Sequence, residues 1–158
     1  MSEDYRIGSG FDAHALEPGV PLVLGGVRVE SEKGLAGHSD GDVITHALID
    51  AVLGAAGLGD IGSLFPSDGS TPEGISSLDL LRDAFEQVRV AGYSVVNADC
   101  VLIGEEPRIA SRREEMARTL GDIVGAAVSV RATTTDKLGF AGRGEGLAAQ
   151  AVALVTRS

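Results

Sequence analysis

The stretch SDGDVITHALIDAVLGAAG, residues 39–57, decides the fold expected for this chain. Its apolar residues recur every three or four positions, which is typical of an amphipathic helix. Ser39 or Asp40 is predicted as the N-cap, because either side chain can accept a hydrogen bond from an amide of the first turn. We therefore predict a helix here that packs its apolar face against a sheet.

The segments around this helix predict mostly strands. We expect strands at residues 6–9, 93–103 and 127–135, and two strand arms around a Gly25-Gly26 turn at residues 21–30. A further strand is expected at residues 146–156, for which a small-residue helix is the alternative. Two more helices are predicted at 77–91 and, after a capping box at Ser111, up to residue 124, whereas residues 58–76 read as a loop. Strands outnumber helices without regular alternation, which favours an α+β fold, a two-layer domain with helices on one face of a mixed β-sheet. Without a linker or repeat, residues 1–158 are expected to form a single domain.

Composition excludes several functional classes. The formal net charge of −10 argues against nucleic acid as a partner, since nucleic-acid binding needs clustered Lys and Arg. No apolar run reaches the roughly 18 residues of a membrane span, and the N-terminus has no secretory signal, so we expect a cytoplasmic protein without a membrane partner. The single cysteine, Cys100, lies among apolar residues and is predicted to be a buried, inert thiol.

Three residues predict a metal site. Asp12 and His14 lie two positions apart near a predicted strand end, so their side chains share one face of the strand. His46, on the predicted helix, supplies a third ligand, with Asp42 and Asp50 one turn away as carboxylate partners for its ring. Such a set leaves a fourth position open, as in catalytic zinc sites. From spacing alone the alternative stays open that His46 pairs with a neighbouring acid and Asp12 makes a turn.

Two segments predict phosphate binding. His38 and Ser39 begin the first helix, where a bound anion and ordinary capping are both consistent with the sequence. Residues 132–146, ATTTDKLGFAGRGEG, concentrate hydroxyls, cations and glycines, as a phosphate cradle would, although they match neither the Walker A nor the GxGxxG spacing. A calcium loop is not expected, because the acidic residues after His38 lack EF-hand spacing.

Taken together, four motifs resemble a known family. GSGFDAH, LAGHSDGDVITHAL, GLGDIGSLFP and ATTTDKLGFAGRGEG occur in the order and near the spacing of the 2-C-methyl-D-erythritol 2,4-cyclodiphosphate synthase family. The resemblance runs from Arg6 to near the C-terminus. It implies a phosphorus-oxygen lyase of the non-mevalonate isoprenoid pathway. That enzyme converts 4-diphosphocytidyl-2-C-methyl-D-erythritol 2-phosphate into the cyclic diphosphate and CMP, by attack of the 2-phosphate on the β-phosphate.

The resemblance also implies roles for particular residues. Asp12, His14 and His46 would hold Zn²⁺ or another divalent transition metal. Asp136, where many members have Glu, would hold Mg²⁺ or Mn²⁺ between the substrate phosphates. His38 and Thr134 would be catalytic. The implied substrate-binding residues are Asp12, Ala13, His14, His38, Ser39, Asp60, Ile61, Gly62, Phe65, Gly104, Pro107, Arg108, Ile109, Ala110, Ala132, Thr133, Thr134, Thr135, Asp136, Phe140 and Arg143. Arg108 replaces a Lys that is common in the family.

Family members are homotrimers with each active site between two subunits, so the resemblance implies a homotrimer that binds a phosphorylated cytidine substrate. Phe11, Arg143 and Glu145 would lie near the central channel; a local salt bridge plus a core aromatic is the alternative. Two other functions use the same ligands. A zinc phosphoesterase would incorporate water into a linear product. A non-catalytic module with structural zinc would need a fourth protein ligand, and the sequence offers no further Cys or His cluster.

Overall fold

The computed structural model describes residues 3–157. Its strands are β1 (Tyr5–Pro18), β2 (Leu22–Leu24), β3 (Val27–Val29), β4 (Lys33–Leu35), β5 (Tyr93–Ile103), β6 (Ala127–Thr133) and β7 (Gly146–Arg157). Its helices are α1 (Val43–Ala56), α2 (Ile61–Leu64), α3 (Ser77–Val90), α4 (Arg113–Val124) and α5 (Gly139–Gly142).

A mixed sheet of five strands, in the order β4-β1-β7-β5-β6, organises the fold. β7 runs antiparallel to both β1 and β5, while β5 and β6 pair in parallel. β2 and β3 form a separate hairpin whose turn, Gly25-Gly26, has positive φ at both residues, a conformation that favours glycine. The predicted α+β class, the mixed sheet and this hairpin are confirmed.

Helix α1 lies on β1 and β7 at very close range. A Cβ added at Gly8 would lie 2.1 Å from the Ala51 carbonyl oxygen, and one at Gly10 would lie 2.0 Å from that of Ala47. Only glycine therefore fits at these two positions of β1. The close approach buries α1 in the core and brings its His46 towards the strand residues that follow Gly10.

Strand β1 is longer than predicted, and β4 was not predicted. β1 pairs with β7 without interruption from Tyr5↔Thr156 to Ala15↔Gly146. The glycines of β1 gave its sequence a weak strand signal, because glycine has low strand propensity. The last segment of the chain is the strand β7, so the helical alternative for it was wrong.

The predicted N-cap of α1 was wrong. Asp42 caps the helix, accepting from the Thr45 amide at 3.1 Å. The same buried carboxylate accepts from the amides of Gly25 and Gly26 at 2.9 and 2.7 Å. Asp42 thus ties the helix start to the hairpin turn, a long-range contact that outweighs local capping preference.

The predicted capping box of α4 was also wrong. The helix begins at Arg113, and Arg112 occupies the cap position without a side-chain cap hydrogen bond. The amides of Arg112 and Arg113 both donate to the Ile109 carbonyl, so a turn precedes the helix and displaces Ser111 from the cap.

Three further expectations can be compared with the structure. The predicted loop at 58–76 contains the short helix α2, capped reciprocally by Asp60 and Ser63. Cys100 is buried as predicted, and burial raises the pKa of its thiol to about 12. Within residues 3–157, no helix has the length and apolar character that crossing a membrane requires.

Candidate metal and nucleotide site

The three predicted ligands meet where α1 lies on β1. The Asp12 Oδ2 atom is 2.8 Å from His14 Nε2 and 3.0 Å from His46 Nδ1, and the two histidine nitrogens are 3.3 Å apart. Within residues 3–157 they form the one group of three or more potential ligands whose donor atoms lie within 4.8 Å of one another. The strand places the first two on one face, and the helix adds the third.

A hydroxyl from a third element sets the tautomer of His46. Ser77, at the start of α3, places its Oγ 2.8 Å from His46 Nε2 and donates its own proton to the Asp40 carboxylate. Ser77 can therefore only accept from His46, so Nε2 carries the ring proton. The other ring nitrogen, Nδ1, then presents its lone pair to Asp12 and His14.

Electrostatics at the three residues favours a cation. Burial acts to raise the pKa of Asp12, but the hydrogen bond with His14 and the neighbouring His46 ring hold it well below its usual range. The hydrogen bond with Asp12 raises the pKa of His14, whose ring also bonds to the Ala36 backbone. When His14 is protonated, that proton offsets the charge of the Asp12 carboxylate. A divalent cation could replace it, because carboxylate and imidazole donors converge on one point.

The carboxylate partners predicted for His46 are elsewhere. Asp42 caps α1, as described above, and Asp50 Oδ1 accepts from the Ile61 amide at 2.7 Å. Burial raises the pKa of Asp50. Both carboxylates are used by backbone amides, and Ser77 with Asp40 takes the place behind His46. Ser77 lies 31 residues from His46, so sequence spacing offered no signal for this contact.

Two of the three candidate ligands, His14 and His46, open into a cavity of about 140 Å³. It is lined by His14, His38, Ser39, His46, Ile61, Gly62, Phe65, Ser67, Thr71, Ile75 and Leu80. His38 Nε2 donates to the Thr71 carbonyl at 2.6 Å. Most predicted residues of the first half of the chain therefore lie together here. Asp60 is an exception, since it caps α2 beside the cavity, and Ala13 is exposed on β1, one residue from each metal ligand of that strand.

A second cavity, of about 290 Å³, lies between the β5–α4 connection and the end of β6. Its lining is Gly104, Glu105, Pro107, Arg108, Ile109, Ala110, Arg113, Ala132, Thr133 and Thr134. Eight of these ten residues were predicted from the resemblance. Glu105 lies inside the segment 104–110 that the resemblance assigns to the cytidine pocket, although it was not named individually, whereas Arg113, three residues beyond that segment, was missed. This cavity shares no lining residue with the metal cavity.

The chain turns sharply after β6. Asp136 and Lys137 have φ of 53° and 65°, and within residues 3–157 they are the only non-glycine residues with positive φ. The Thr135 hydroxyl donates to the Leu138 carbonyl at 2.7 Å. The turn leaves Asp136 exposed at the edge of the second cavity's threonines.

Of the residues expected at a central channel, Arg143 pairs with Glu145 at 3.1 Å, so a local salt bridge is present. Phe11 is 59% exposed, which rules out the core-aromatic half of that alternative. Phe140 is also partly exposed, at 41%.

Comparison with known proteins defines the family. The sequence profile of the YgbB family matches residues 5–156. The chain belongs to the YgbB family. Among YgbB relatives, 2-C-methyl-D-erythritol 2,4-cyclodiphosphate synthase of Aromatoleum aromaticum is 53% identical over 160 residues, covering 99% of this chain and 97% of the relative.

Two further YgbB relatives extend the comparison. The enzyme of the same name from Geobacillus kaustophilus is 50% identical over 157 residues, covering 98% of this chain and 99% of the relative. The structure of Plasmodium falciparum IspF in complex with CDP superposes with a TM-score of 0.85 at 30% identity, covering 100% of this chain and 99% of that one.

Proposed function

We propose that this chain is a 2-C-methyl-D-erythritol 2,4-cyclodiphosphate synthase acting in isoprenoid biosynthesis. It would convert 4-diphosphocytidyl-2-C-methyl-D-erythritol 2-phosphate into the cyclic diphosphate and CMP. The observation that carries the proposal is the convergence of three ligand atoms beside a cavity, in a chain whose relatives over its full length are named for this reaction.

The metal ligands in this proposal are Asp12, His14 and His46, and the metal is Zn²⁺ or another divalent transition ion. The tautomer of His46 supports this assignment, because its Nδ1 lone pair faces the other two donors. The described residues supply three ligands, which fits a catalytic site better than a structural one. When bound, the ion would neutralise charge on a substrate phosphate.

Asp136 is the proposed ligand of Mg²⁺ or Mn²⁺ between the substrate phosphates. The position of Asp136 supports this assignment, because the residue is exposed and lies two residues after Thr134, which lines the second cavity. Its side chain is one methylene shorter than the Glu common in the family, so ligation through water is an alternative to direct contact.

His38 and Ser39 bind and polarise the phosphates in the proposed reaction, and Thr134 stabilises its transition state. Ser39 Oγ accepts from the Gly41 amide at 3.1 Å and lies 3.0 Å from His46 Nε2, so its own proton can be donated to a phosphate oxygen. His38 is held by the Thr71 carbonyl, which fixes its ring at the cavity wall. Thr134 offers a hydroxyl at the end of β6.

The proposed reaction needs no protein nucleophile. An oxygen of the 2-phosphate forms a bond to the β-phosphorus, and the bond from that phosphorus to the oxygen bridging to CMP breaks. Both groups belong to one molecule, so holding them together can provide effective molarities of about 10⁵ M or more. The protein contributes orientation and charge neutralisation.

The second cavity is the proposed cytidine site. The substrate-binding roles of its predicted lining residues are part of this proposal, and the CDP bound in the P. falciparum relative supports a cytidine nucleotide as ligand. Arg108 and Arg113 both line it, and neither guanidinium has an acidic partner within residues 3–157. In a chain of charge −10, two uncommitted cations at one cavity favour a phosphorylated ligand.

We also propose that the active unit is a homotrimer of single-domain subunits, with each site between two of them. The two cavities of one chain share no lining residue, which supports this, because a substrate with both a cytidine and a diphosphate must reach both. Ile7, Phe11 and Val152 on the strands β1 and β7 are 77%, 59% and 46% exposed, which supplies apolar area for assembly. The expected cytoplasmic location and the expected absence of nucleic-acid and membrane partners stay predictions.

The test is turnover in ¹⁸O-water with Mg²⁺ or Mn²⁺, followed by mass spectrometry of the products. Unlabelled cyclic diphosphate and CMP are expected, with loss of turnover in Asp12→Ala and His46→Ala. Asp122→Ala, at an exposed position of α4, is the control and should keep activity. Labelled linear products would instead indicate the phosphoesterase, and no turnover by the folded, zinc-loaded protein would overturn the proposal.

A further inference from the structure

We propose that Glu105 is a positioning residue that couples the nucleotide cavity to the turn carrying Asp136. The inference rests on the proposed function in one respect, that Asp136 binds the second divalent ion. The contact itself does not depend on that function, because the structure contains it: Glu105 Oε1 accepts a hydrogen bond from the backbone amide of Lys137 at 3.1 Å.

The turn is closed from within by two hydrogen bonds between Thr135 and Leu138, and Glu105 adds a contact from outside it. Asp136 and Lys137 both adopt left-handed backbone conformations, which residues with a Cβ rarely occupy unless the surroundings fix them. The contacts within the turn that involve Asp136 are long, at 3.4 Å between Thr134 Oγ1 and both the Asp136 amide and its Oδ1. The carboxylate of Glu105 bonds the amide next to Asp136 at the shorter distance of 3.1 Å.

The second oxygen of Glu105 points to a role beyond packing. Within residues 3–157, Oε2 is the one buried side-chain oxygen or nitrogen without a hydrogen-bond partner. An unsatisfied buried carboxylate oxygen is unfavourable, so a purely structural position would be better filled by a smaller or apolar side chain. The position instead keeps a carboxylate whose other oxygen holds the Lys137 amide.

Glu105 also belongs to the cavity wall. It lines the second cavity together with Thr133 and Thr134, and the amide of its neighbour Gly104 donates to the Thr133 carbonyl at 3.0 Å. A nucleotide in this cavity would therefore contact the same short segment that fixes the turn. The geometry makes the position of Asp136 depend on a residue 31 positions earlier in the chain.

The contact is tested first without metal or substrate. Hydrogen exchange of the Lys137 amide should be faster in Glu105→Ala than in the wild type and close to wild type in Glu105→Gln, which keeps the accepting oxygen. Glu106→Ala is the matched control, because it removes the same charge from the next, exposed residue. Unchanged exchange in Glu105→Ala would overturn the proposal whatever the function of the chain.

The expected effect of Glu105 on binding of the second divalent ion is tested by titrating the protein with Mn²⁺ in the presence of CDP. Electron paramagnetic resonance measures the free Mn²⁺. We expect Glu105→Ala to raise the half-saturating Mn²⁺ concentration about tenfold or more, as when a metal ligand loses its support. Zinc content should stay unchanged, and Glu105→Gln should restore binding.

Asp136→Ala separates the two ways of failing. Weaker Mn²⁺ binding in Asp136→Ala with unchanged binding in Glu105→Ala would overturn the positioning role alone. Unchanged Mn²⁺ binding in Asp136→Ala would show that Asp136 is not the ligand. It would overturn both the metal-binding role of Asp136 and the positioning role of Glu105. Faster exchange of the Lys137 amide in Glu105→Ala would then establish only the contact between Glu105 and Lys137.

Discussion

At the scale of single residues, the orientation of one imidazole depends on a hydroxyl from a distant helix. Ser77 is fully buried and its proton is committed to Asp40, so it fixes the Nε2–H tautomer of His46. Metal-binding histidines generally need such a partner, because the partner holds the ring and strengthens the free nitrogen as a donor. Here the partner is a serine bonded to a carboxylate, whereas the sequence indicated a carboxylate in direct contact.

Replacing Ser77 by Ala should therefore weaken Zn²⁺ binding by about 10- to 100-fold. Competition with a fluorescent chelator measures the affinity. Ser76→Ala is the control, since Ser76 precedes α3 without a side-chain cap hydrogen bond. Equal affinities for the two variants would contradict the proposed role of Ser77.

The pKa shifts at Asp12 and His14 predict how the metal-free protein responds to pH. The pKa of His14 is raised above 6.5, so its contribution to stability is complete below that pH and is lost as pH rises through the folded-state pKa. The pKa of Asp12 is lowered, so its contribution is lost only in strong acid.

We therefore expect the free energy of unfolding of metal-free protein to fall as pH rises above about 6.5, while zinc affinity increases over the same range as the proton leaves. Urea titrations in the presence of a chelator measure the first effect. His14→Asn should remove this part of the slope, and an unchanged slope in that variant would assign it to another group.

At the scale of secondary structure, the two glycines of β1 set the distance between strand and helix. Because their missing side chains admit the carbonyls of α1, the strand and helix ligands can share one point. The metal site thus depends on a packing feature that lies one turn away from the ligands themselves.

Gly10→Ala should destabilise the protein by about 1–3 kcal/mol or more, since its Cβ would overlap the Ala47 carbonyl, and it should also weaken zinc binding. Gly54→Ala provides the matched control on α1, where a Cβ meets only ordinary contact at 3.9 Å. That control should be stabilised by about 0.4–1 kcal/mol. Thermal unfolding with and without zinc distinguishes the two, and a stable, zinc-binding Gly10→Ala would refute the packing argument.

Helix α4 provides a matched pair of cations for testing the nucleotide site. Arg113 lines the second cavity, whereas Arg118 on the same helix is exposed and lines another. Arg113→Gln should weaken CDP binding about fivefold, equivalent to roughly 1 kcal/mol for an exposed charge pair. Arg118→Gln, with the same change in net charge, should bind CDP as the wild type does in calorimetric titrations. Equal affinities in both variants would remove Arg113 from the site.

Sequence patterns predicted the elements better than their ends. The periodicity of α1 and α3 and the alternation of β5 and β6 follow local rules, and these elements were found within a few residues of their predicted positions. The cap of α1 depended on a contact of Asp42 with Gly25, 17 residues away, and α4 begins after a turn at Ile109 that the capping-box pattern does not reveal. Asp12, His14 and His46 were predicted as ligands from strand and helix spacing together with the family resemblance. The contacts of Ser77 with His46 and of Glu105 with Lys137 were not predicted, because both act across more than 30 residues.

At the scale of the whole molecule, the sheet leaves apolar side chains uncovered while the two cavities remain apart. A trimer would cover Ile7, Phe11 and Val152 and could bring a metal cavity of one subunit beside a nucleotide cavity of the next. Such an assembly would let one substrate molecule contact both cavities, as the proposed function requires.

Mixing two inactive variants tests this arrangement. Asp12→Ala removes a metal ligand and Thr134→Ala changes the other cavity, so mixed trimers should contain some sites with both halves intact and should recover part of the activity. If mixtures whose subunits have exchanged recover no activity, each site lies within one chain.

Assembly itself is tested with a charge on the exposed sheet face. Val152→Asp should give monomers in analytical ultracentrifugation, because a buried unpaired carboxylate strongly disfavours an apolar interface. Val90→Asp is the control, as Val90 is 73% exposed at the end of α3. A trimeric Val152→Asp protein would exclude this face from the interface.

The pairing of β1 with β7 has a mechanical consequence. Tyr5 lies opposite Thr156, and the Arg157 amide donates to the Asp4 carbonyl at 3.0 Å, so residues near the two ends are neighbours at one edge of the ladder. A pulling force applied between these ends acts across the strands and loads one hydrogen-bonded pair at a time. The ladder would therefore unzip from Tyr5 towards Ala15 at low force, and the strand bearing Asp12 and His14 would leave the sheet before the helix bearing His46 unfolds.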